Sequence, residues 1–271
     1  MLQSITRFSN DALGVEKSLK FLQSTSQIAA TVGYLSPDEA ALWLTAKDQF
    51  ALARRFLRLF KWIDCWNTAY GQYQSFPSSK ATKGQPTKPS QPSIAQSSVH
   101  SLLIVSKWSL LGMYLFIEMF TIVDAVLGTW RPWAVTAQTE ALKFWFYALS
   151  ASIALSLYEL LFVYPDPASS KNNNNNQSAN EKKGKTTSTV VEKTSRKGAV
   201  DESSKPEQTR PRNPPTAKRN AIFRQLVIDT CDLLIPAAAV GWFPLDPVTV
   251  GAAGSVSALL GGSDVWYRVN A

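Results

Sequence analysis

Apolar and polar positions along this chain are sorted into long blocks, and the apolar blocks carry helical spacing rather than strand alternation. Residues 11–32 show a weak helical period: Val15, Leu19, Leu22 and Ala29 share one face, with Glu16, Lys17, Lys20 and Gln27 away from it. "GYLSPDE" breaks that helix. There Ser36 suits an N-cap, Pro37 the first helical position and Glu39 the reciprocal place of a capping box. A long helix is therefore predicted from Pro37 to about Tyr73, ended by "SFPSS". From Ser101 to Gly128 the chain is strongly apolar, interrupted by Lys107, Glu118 and Asp124. Its longest uncharged run, Trp108 to Ile117, is too short to cross a bilayer unaided. "TWRPWAV" reads as a turn whose tryptophans suit a membrane interface. A second apolar helix is predicted over Ala137–Tyr164. Its stretch from Phe144 carries one charge, Glu159, and reaches the ~20 residues a span needs. Another helix runs from Arg219 to Val240. After "GWFPLDP", Asp246 caps a last one from Pro247 to about Arg268.

Two polar blocks separate these elements. Residues 77–99 are rich in Ser, Pro, Lys and Gln and read as a flexible linker. Residues 165–218 are of low complexity, include five consecutive asparagines at 172–176, and cannot bury enough apolar surface to offset chain entropy, so they read as disordered. No strand pattern is found. The expected architecture is mostly α: a membrane-associated helical protein with long amphipathic N-terminal helices, apolar helices in the middle and at the C-terminus, and two disordered linkers. The boundaries fall at 1–76 (amphipathic region), 77–99 (linker), 100–164 (apolar helical pair), 165–218 (basic linker) and 219–271 (C-terminal membrane segment).

The most informative stretch is "ALARRFLRLFKWIDCWNTAY", residues 51–70. On a straight helix at about 100° per residue with Phe50 at the origin, Lys47, Arg54, Arg58 and Lys61 fall between roughly 20° and 80°. Leu52, Phe56, Leu59, Phe60, Ile63, Trp66 and Tyr70 fall between roughly 160° and 280°. Nucleic-acid stacking needs rings beside basic groups, so this separation argues against a nucleic-acid partner. It suits a helix lying in a membrane interface. Phe56, Phe60, Ile63 and Trp66 are then the inserting side chains, and Lys47, Arg54, Arg58 and Lys61 the contacts to an anionic phospholipid surface. The competing reading, an amphipathic helix packed on residues 11–32, uses the same apolar stripe. Arg55 and Leu57 fit the wheel poorly. In the last helix, Gly251 and Ser255 form one small-residue pair, and Gly254, Ala258 and Gly262 a ladder on another face. Such spacing lets helix backbones approach closely in a membrane.

The net charge of +8 adds little, because twelve of the 28 basic residues lie in 165–219, against six acids. Two well-separated cysteines, Cys65 and Cys231, form neither a disulfide framework nor a metal pattern. The N-terminal residues lack the pattern of a secretory signal, so the Asn176 sequon is expected to be unused. One histidine, His100, stands at the edge of a linker and reads as solvated. There is no Walker loop, dinucleotide turn, zinc-spaced cysteine pair or nucleophile elbow, so no enzyme, cofactor or metal is expected.

Three stretches, in this order, resemble the peroxin-11 family of peroxisomal membrane elongation factors, and a fungal member in particular. "GVEKSLKFLQ" is similar to the family's N-terminal Gly-x-x-Lys segment, with Ser24 where an aromatic usually follows. "ARRFLRLFKWID" is similar to its Arg-rich amphipathic helix. "CDLLIPAAAVGWFPLDPVTVGAAGSVSALLGGSDVW" is similar to its apolar, Gly-rich segment closing on tryptophan. The polar insert at 165–218 is longer than usual for the family. The resemblance implies a peroxisomal membrane protein that inserts an amphipathic helix into the cytosolic leaflet, self-associates, and recruits the fission machinery. It also implies that Arg219 and Arg224 flank a targeting site for the peroxisomal membrane-protein chaperone. Both linkers are basic, which is consistent with both facing the cytosol and leaves open whether the segments between them cross as a pair or lie on the surface. Two other readings remain open. Lys107, Glu118, Asp124 and Glu159 inside apolar helices could mark a channel or transporter component. A soluble helical scaffold would be released from membranes by alkaline carbonate.

Overall fold

The computed structural model describes residues 2–31, 35–75, 94–164 and 215–271, with 94–97 and 215 described as backbone only. Among these residues there is no strand. The helices are α1 (Leu2–Asn10), α2 (Ala12–Thr31), α3 (Pro37–Leu57), α4 (Lys61–Gln74), α5 (Ile94–Phe120), α6 (Ile122–Leu127), α7 (Pro132–Tyr158, continued by a π-helical turn Glu159–Val163), α8 (Pro215–Val240) and α9 (Pro247–Asn270). Most of the two linkers lies outside the described residues; residues 94–99 belong to α5 and 215–218 to α8.

The end signals act where the sequence puts them. Ser36 and Glu39 form the reciprocal capping box of α3. Asp246 accepts the Thr249 N–H at the start of α9, at 2.9 Å. Gly128, at φ 65°, closes α6 in the left-handed conformation that glycine adopts without strain.

α5, α7, α8 and α9 form successive antiparallel pairs. Tyr114 stacks on Trp145, and His100 reaches Glu159 at 2.9 Å, which aligns α5 with α7. Ser152 donates to Asp229 at 2.5 Å between α7 and α8. Ser257 bonds Asp232 between α9 and α8. α2 lies antiparallel on α9, α3 folds back on α2, and α4 packs on α5. The turn at 121–131 leads into the start of α7, and from the turn at 241–246 Trp242 meets Phe146 in the middle of α7.

Three helices are long and apolar enough to cross a membrane: Ser98–Phe120, Pro132–Val163 and Pro247–Asn270. Only 17% of the α7 window is buried inside the protein, so most of its apolar side chains face outward. Besides a cluster of Cys65, Tyr114, Leu115 and Ala141, the interior holds many small and polar residues. Ala141, Ala148, Ser152, Ala258 and Ser257 are buried, and so are Glu16, Lys20, Arg54, Glu118 and Asp229. This inversion corrects the expected orientation of α2. Its buried face is Gly14, Glu16, Lys20, Ser24 and Ser26, and Leu22 is exposed. Val15, Leu19 and Ala29, on the apolar face, are only half-buried. Where the outside is apolar, polar groups must find partners within the protein instead.

Candidate membrane-interface surface

The expected single helix from Pro37 to Tyr73 is two helices with a corner at Arg58–Phe60. Arg58 (φ −108°, ψ 4°) and Phe60 (φ −107°, ψ 6°) leave the helical region. Tighter bonds replace the helical ladder there, among them Lys61 N–H to Arg58 C=O at 3.0 Å and Ile63 N–H to Phe60 C=O at 3.1 Å. The corner satisfies two anchors that one straight rod would not bring together. Before it, Arg54 binds α2; after it, Trp62 and Trp66 pack edge-on and tilted against Phe116 of α5.

The corner re-phases the wheel, so the eight predicted membrane residues separate. Phe56 (53% exposed), Phe60 (66%) and Ile63 (41%) stay on the surface, joined by Leu57 (45%). Trp66 turns inward, its ring filling the space over Gly112, and its Nε1 donates to the Ser109 carbonyl at 3.4 Å. Lys47 and Lys61 are half-buried, Lys47 lying 3.3 Å from Asp48. Arg54 and Arg58 do not form an outward basic face. Arg54 donates to Glu16 at 3.1 Å and to Gln23 at 2.6 Å. Arg58 donates to both oxygens of Glu118, at 3.3 and 3.2 Å. Arg55, which the wheel left unexplained, lies 3.5 Å from Glu118, with its guanidinium 5.5 Å over the Trp130 ring.

That last contact sets the corner beside the 121–131 turn. Trp130 (φ 37°), Trp133, Trp242 and Phe243 are exposed on that turn and on the neighbouring 241–246 turn. Asp124 and Arg131 pair at 2.8 Å just outside the span. The Arg131 hydrogen bond, acting against burial, lowers the Asp124 pKa to about 2. Exposed tryptophans with charges beside them, as Trp130 and Trp133 have Arg131 and Asp124, are the arrangement found where helices leave the hydrocarbon for the headgroups.

The small residues of α9 also regroup. Gly251, Gly254 and Gly261 press on α2: a Cβ at Gly251 would lie 2.7 Å from Ile28 Cγ1 and 3.1 Å from the Ser24 carbonyl, and one at Gly261 3.1 Å from Lys17. With Ala258 and Val265 they form one buried seam at alternating spacings of three and four. Ser255 and Gly262 are only half-buried, and a Cβ at Gly262 would meet Lys17 Cβ at an ordinary 3.7 Å. The sequence reading missed Gly261. A count at 3.5 residues per repeat would have found it, whereas i, i+4 steps drift off the seam.

Of the charges inside apolar helices, Lys107 lies 5.7 Å over the Trp108 ring and the carboxylates are hydrogen-bonded. Glu118 serves Arg55, Arg58 and Tyr114. Asp229 accepts from Ser152 and Gln225, and Lys20 pairs with Asp232. His100, expected to be solvated, is bonded to Glu159 within the bundle. Arg224 pairs with Asp264 at 3.0 Å, tying α8 to α9. Burial lowers the Lys20 pKa to about 8 against the pull of Asp232. Burial lowers Arg54 as well, helped by the charge of Arg58 and opposed by Glu16. A polar cavity of about 150 Å³ opens between α2, α3, α5 and α7, with Lys20, Gln23, Arg54, Arg58, Glu118 and Gln138 among its walls. Among the described residues no group of His, Cys, Asp and Glu is arranged to hold a metal.

The all-helical bundle, its outward apolar spans and its Gly-rich C-terminal helix agree with the resemblance carried by the three sequence stretches. A family model described as Peroxisomal biogenesis factor 11 (PEX11) matches residues 2–266. Comparison with curated proteins and with solved structures gave no match. The family match runs from the start of α1 into the last turns of α9, and the chain therefore belongs to the peroxisomal biogenesis factor 11 (PEX11) family, a family of peroxisomal membrane proteins of peroxisome proliferation rather than of enzymes.

Proposed function

We propose that this chain resides in the peroxisomal membrane and elongates it by pressing the α3–α4 corner into one leaflet, so promoting peroxisome proliferation and fission. The observation that carries this reading is the exposure of Phe56, Leu57, Phe60 and Ile63 at a corner beside the exposed Trp130. Full burial of a large apolar side chain is worth roughly 1.5–3 kcal/mol. These four are about half exposed, so each still has on the order of 1 kcal/mol to gain from lipid. Side chains entering one leaflet to about 5–10 Å widen it relative to the other and favour curvature. Lys47 and Lys61 remain as candidates for anionic headgroups, each worth on the order of 1 kcal/mol. Arg54 and Arg58 instead hold the corner in place. Self-association, recruitment of the fission machinery and delivery by the peroxisomal membrane-protein chaperone complete the proposal, on the strength of family membership alone.

The test uses the full-length protein reconstituted into vesicles containing anionic lipid, with tubule length measured by electron cryomicroscopy. Phe56→Ser/Phe60→Ser should stay in the carbonate-resistant fraction and shorten the tubules; unchanged tubulation would refute the corner as the remodelling element. A second reading, a channel or transporter component, draws on the polar cavity among the apolar helices. It predicts conductance in planar bilayers that Glu159→Leu abolishes, and silent bilayers would count against it.

A further inference from the structure

The polar cavity carries more positive than negative charge. Lys20, Arg54, Arg55 and Arg58 border it with one carboxylate, Glu118. Lys20 and Arg54 are answered from outside its walls, by Asp232 and Glu16. Arg55 and Arg58 are left to share Glu118, at 3.5 and 3.2 Å, and the Tyr114 hydroxyl donates to the same carboxylate at 2.8 Å. Two guanidiniums on one carboxylate leave one positive charge without a counter-ion. Both residues also carry an unmet hydrogen bond: Arg55 Nη1 and Arg58 Nε are buried and, like four other side-chain atoms, have no partner among the described residues. A buried charged donor without an acceptor carries its desolvation cost uncompensated.

We propose that this cavity binds one small oxyanion bearing a phosphate group, held by Arg55 and Arg58. A guanidinium is the donor that matches phosphate oxygens with parallel hydrogen bonds. The excess charge selects an anion over a cation or a neutral solute. The volume, about 150 Å³, is well above the ~10–15 Å³ that seats one water and has room for a phosphate group. Arg55 and Arg58 also hold α3 to the end of α5, so an occupant there ties the α3–α4 corner to the spans. The inference is independent of whether the corner inserts into lipid.

The phosphate can come from solution or from a lipid headgroup, and two arms separate these. In the first, full-length protein in phosphatidylcholine nanodiscs is equilibrated with radiolabelled inorganic phosphate. One saturable site per chain is expected, weakened roughly tenfold in Arg55→Gln, the loss of a charge-assisted contact. Glu118→Gln removes the competing carboxylate and should tighten binding, a gain that misfolding cannot imitate. In the second, phosphatidic acid retained per chain after detergent washing is measured for the same three proteins. The same ordering there assigns the site to a lipid headgroup, and ordering in the first arm alone assigns it to free phosphate. If neither phosphate uptake nor phosphatidic acid retention differs among wild type, Arg55→Gln and Glu118→Gln, the proposal is overturned.

Discussion

Replacing Gly251 with leucine should drive α2 and α9 apart, and the cost can be worked from the seam. Even the first added atom, Cβ, would lie 2.7 Å from Ile28 Cγ1 and 3.1 Å from the Ser24 carbonyl oxygen. Ile28 can rotate away, but the carbonyl moves only if the α2 backbone moves. Overpacking of this kind costs about 1–3 kcal/mol, and the rest of a leucine side chain places it at the upper end. Removing a glycine from a helix interior returns up to about 1 kcal/mol. The net destabilisation is therefore about 2 kcal/mol, or roughly 4–8 °C in unfolding midpoint for a chain of this size. Gly262→Ala is the control on the same helix. Its nearest neighbour would be Lys17 Cβ at 3.7 Å, ordinary contact, so the gain in helix propensity stands alone and the midpoint should rise by a few degrees. Thermal unfolding in detergent can be followed with a thiol-reactive fluorophore, since Cys65 is 1% exposed and becomes reactive on unfolding. If Gly251→Leu and Gly262→Ala shift the midpoint in the same direction, the seam is misplaced and the reasoning fails.

Three other outcomes are expected. Arg54→Ala leaves buried Glu16 with Lys17 alone, at 3.4 Å, and should cost up to about 3–5 kcal/mol; adding Glu16→Gln should recover part of that, read as a double-mutant cycle. Burial pushes the Glu16 carboxyl up, but the charges of Lys17, Arg54 and Arg58 and the Arg54 hydrogen bond outweigh it and hold its pKa well below the usual range. A carboxyl depressed on folding stabilises the protein above its unfolded pKa of about 4.3 and loses that contribution as the pH falls further. The unfolding midpoint should therefore drop more steeply below about pH 4 in wild type than in Glu16→Gln. Burial raises the pKa of both thiols, but Cys65 is fully buried and Cys231 only half-buried, so maleimide at neutral pH should label Cys231 before Cys65; equal rates would mean that α4 is not seated on α5.

Helix ends were legible because their signals are local. Ser36 with Glu39, and Asp246 with Pro247, act within one turn whatever lies outside the helix. The α3–α4 corner was not legible, because no glycine or proline marks it. Arg58 leaves the helix to reach Glu118, sixty residues on, and "RRFLRLFKW" read locally is an uninterrupted helix. The exposed apolar triad Phe56, Phe60 and Ile63 could be named because one face carried large side chains on both sides of the corner. Which arginines faced outward could not, since their carboxylate partners, Glu16 and Glu118, sit in segments read as a separate helix and as an apolar block. The Gly-rich α9 was recognisable as a packing helix. Its register needed the partner, because Ser24, Ile28 and Lys17 decide which of its small residues are touched.

The buried charges also explain why the sequence looks amphipathic in the wrong sense. In a water-soluble bundle, Glu16, Lys20, Arg54 and Asp232 would face solvent and the leucines would close the core. Here the spans turn their large side chains outward, so the interior is left with small residues and whatever polar groups can satisfy one another. Small residues give close contact without volume, and the ion pairs supply the register that interlocking leucines supply elsewhere: Glu16–Arg54 fixes α2 on α3, Lys20–Asp232 fixes α2 on α8, and Arg58–Glu118 fixes the corner on α5. Breaking one of these pairs would release a specific helix contact rather than loosen a general core. The pair that holds the corner, Arg58–Glu118, is also the one that Arg55 overcharges. A change of charge at Glu118 would therefore act on the corner and the cavity together, through a single carboxylate.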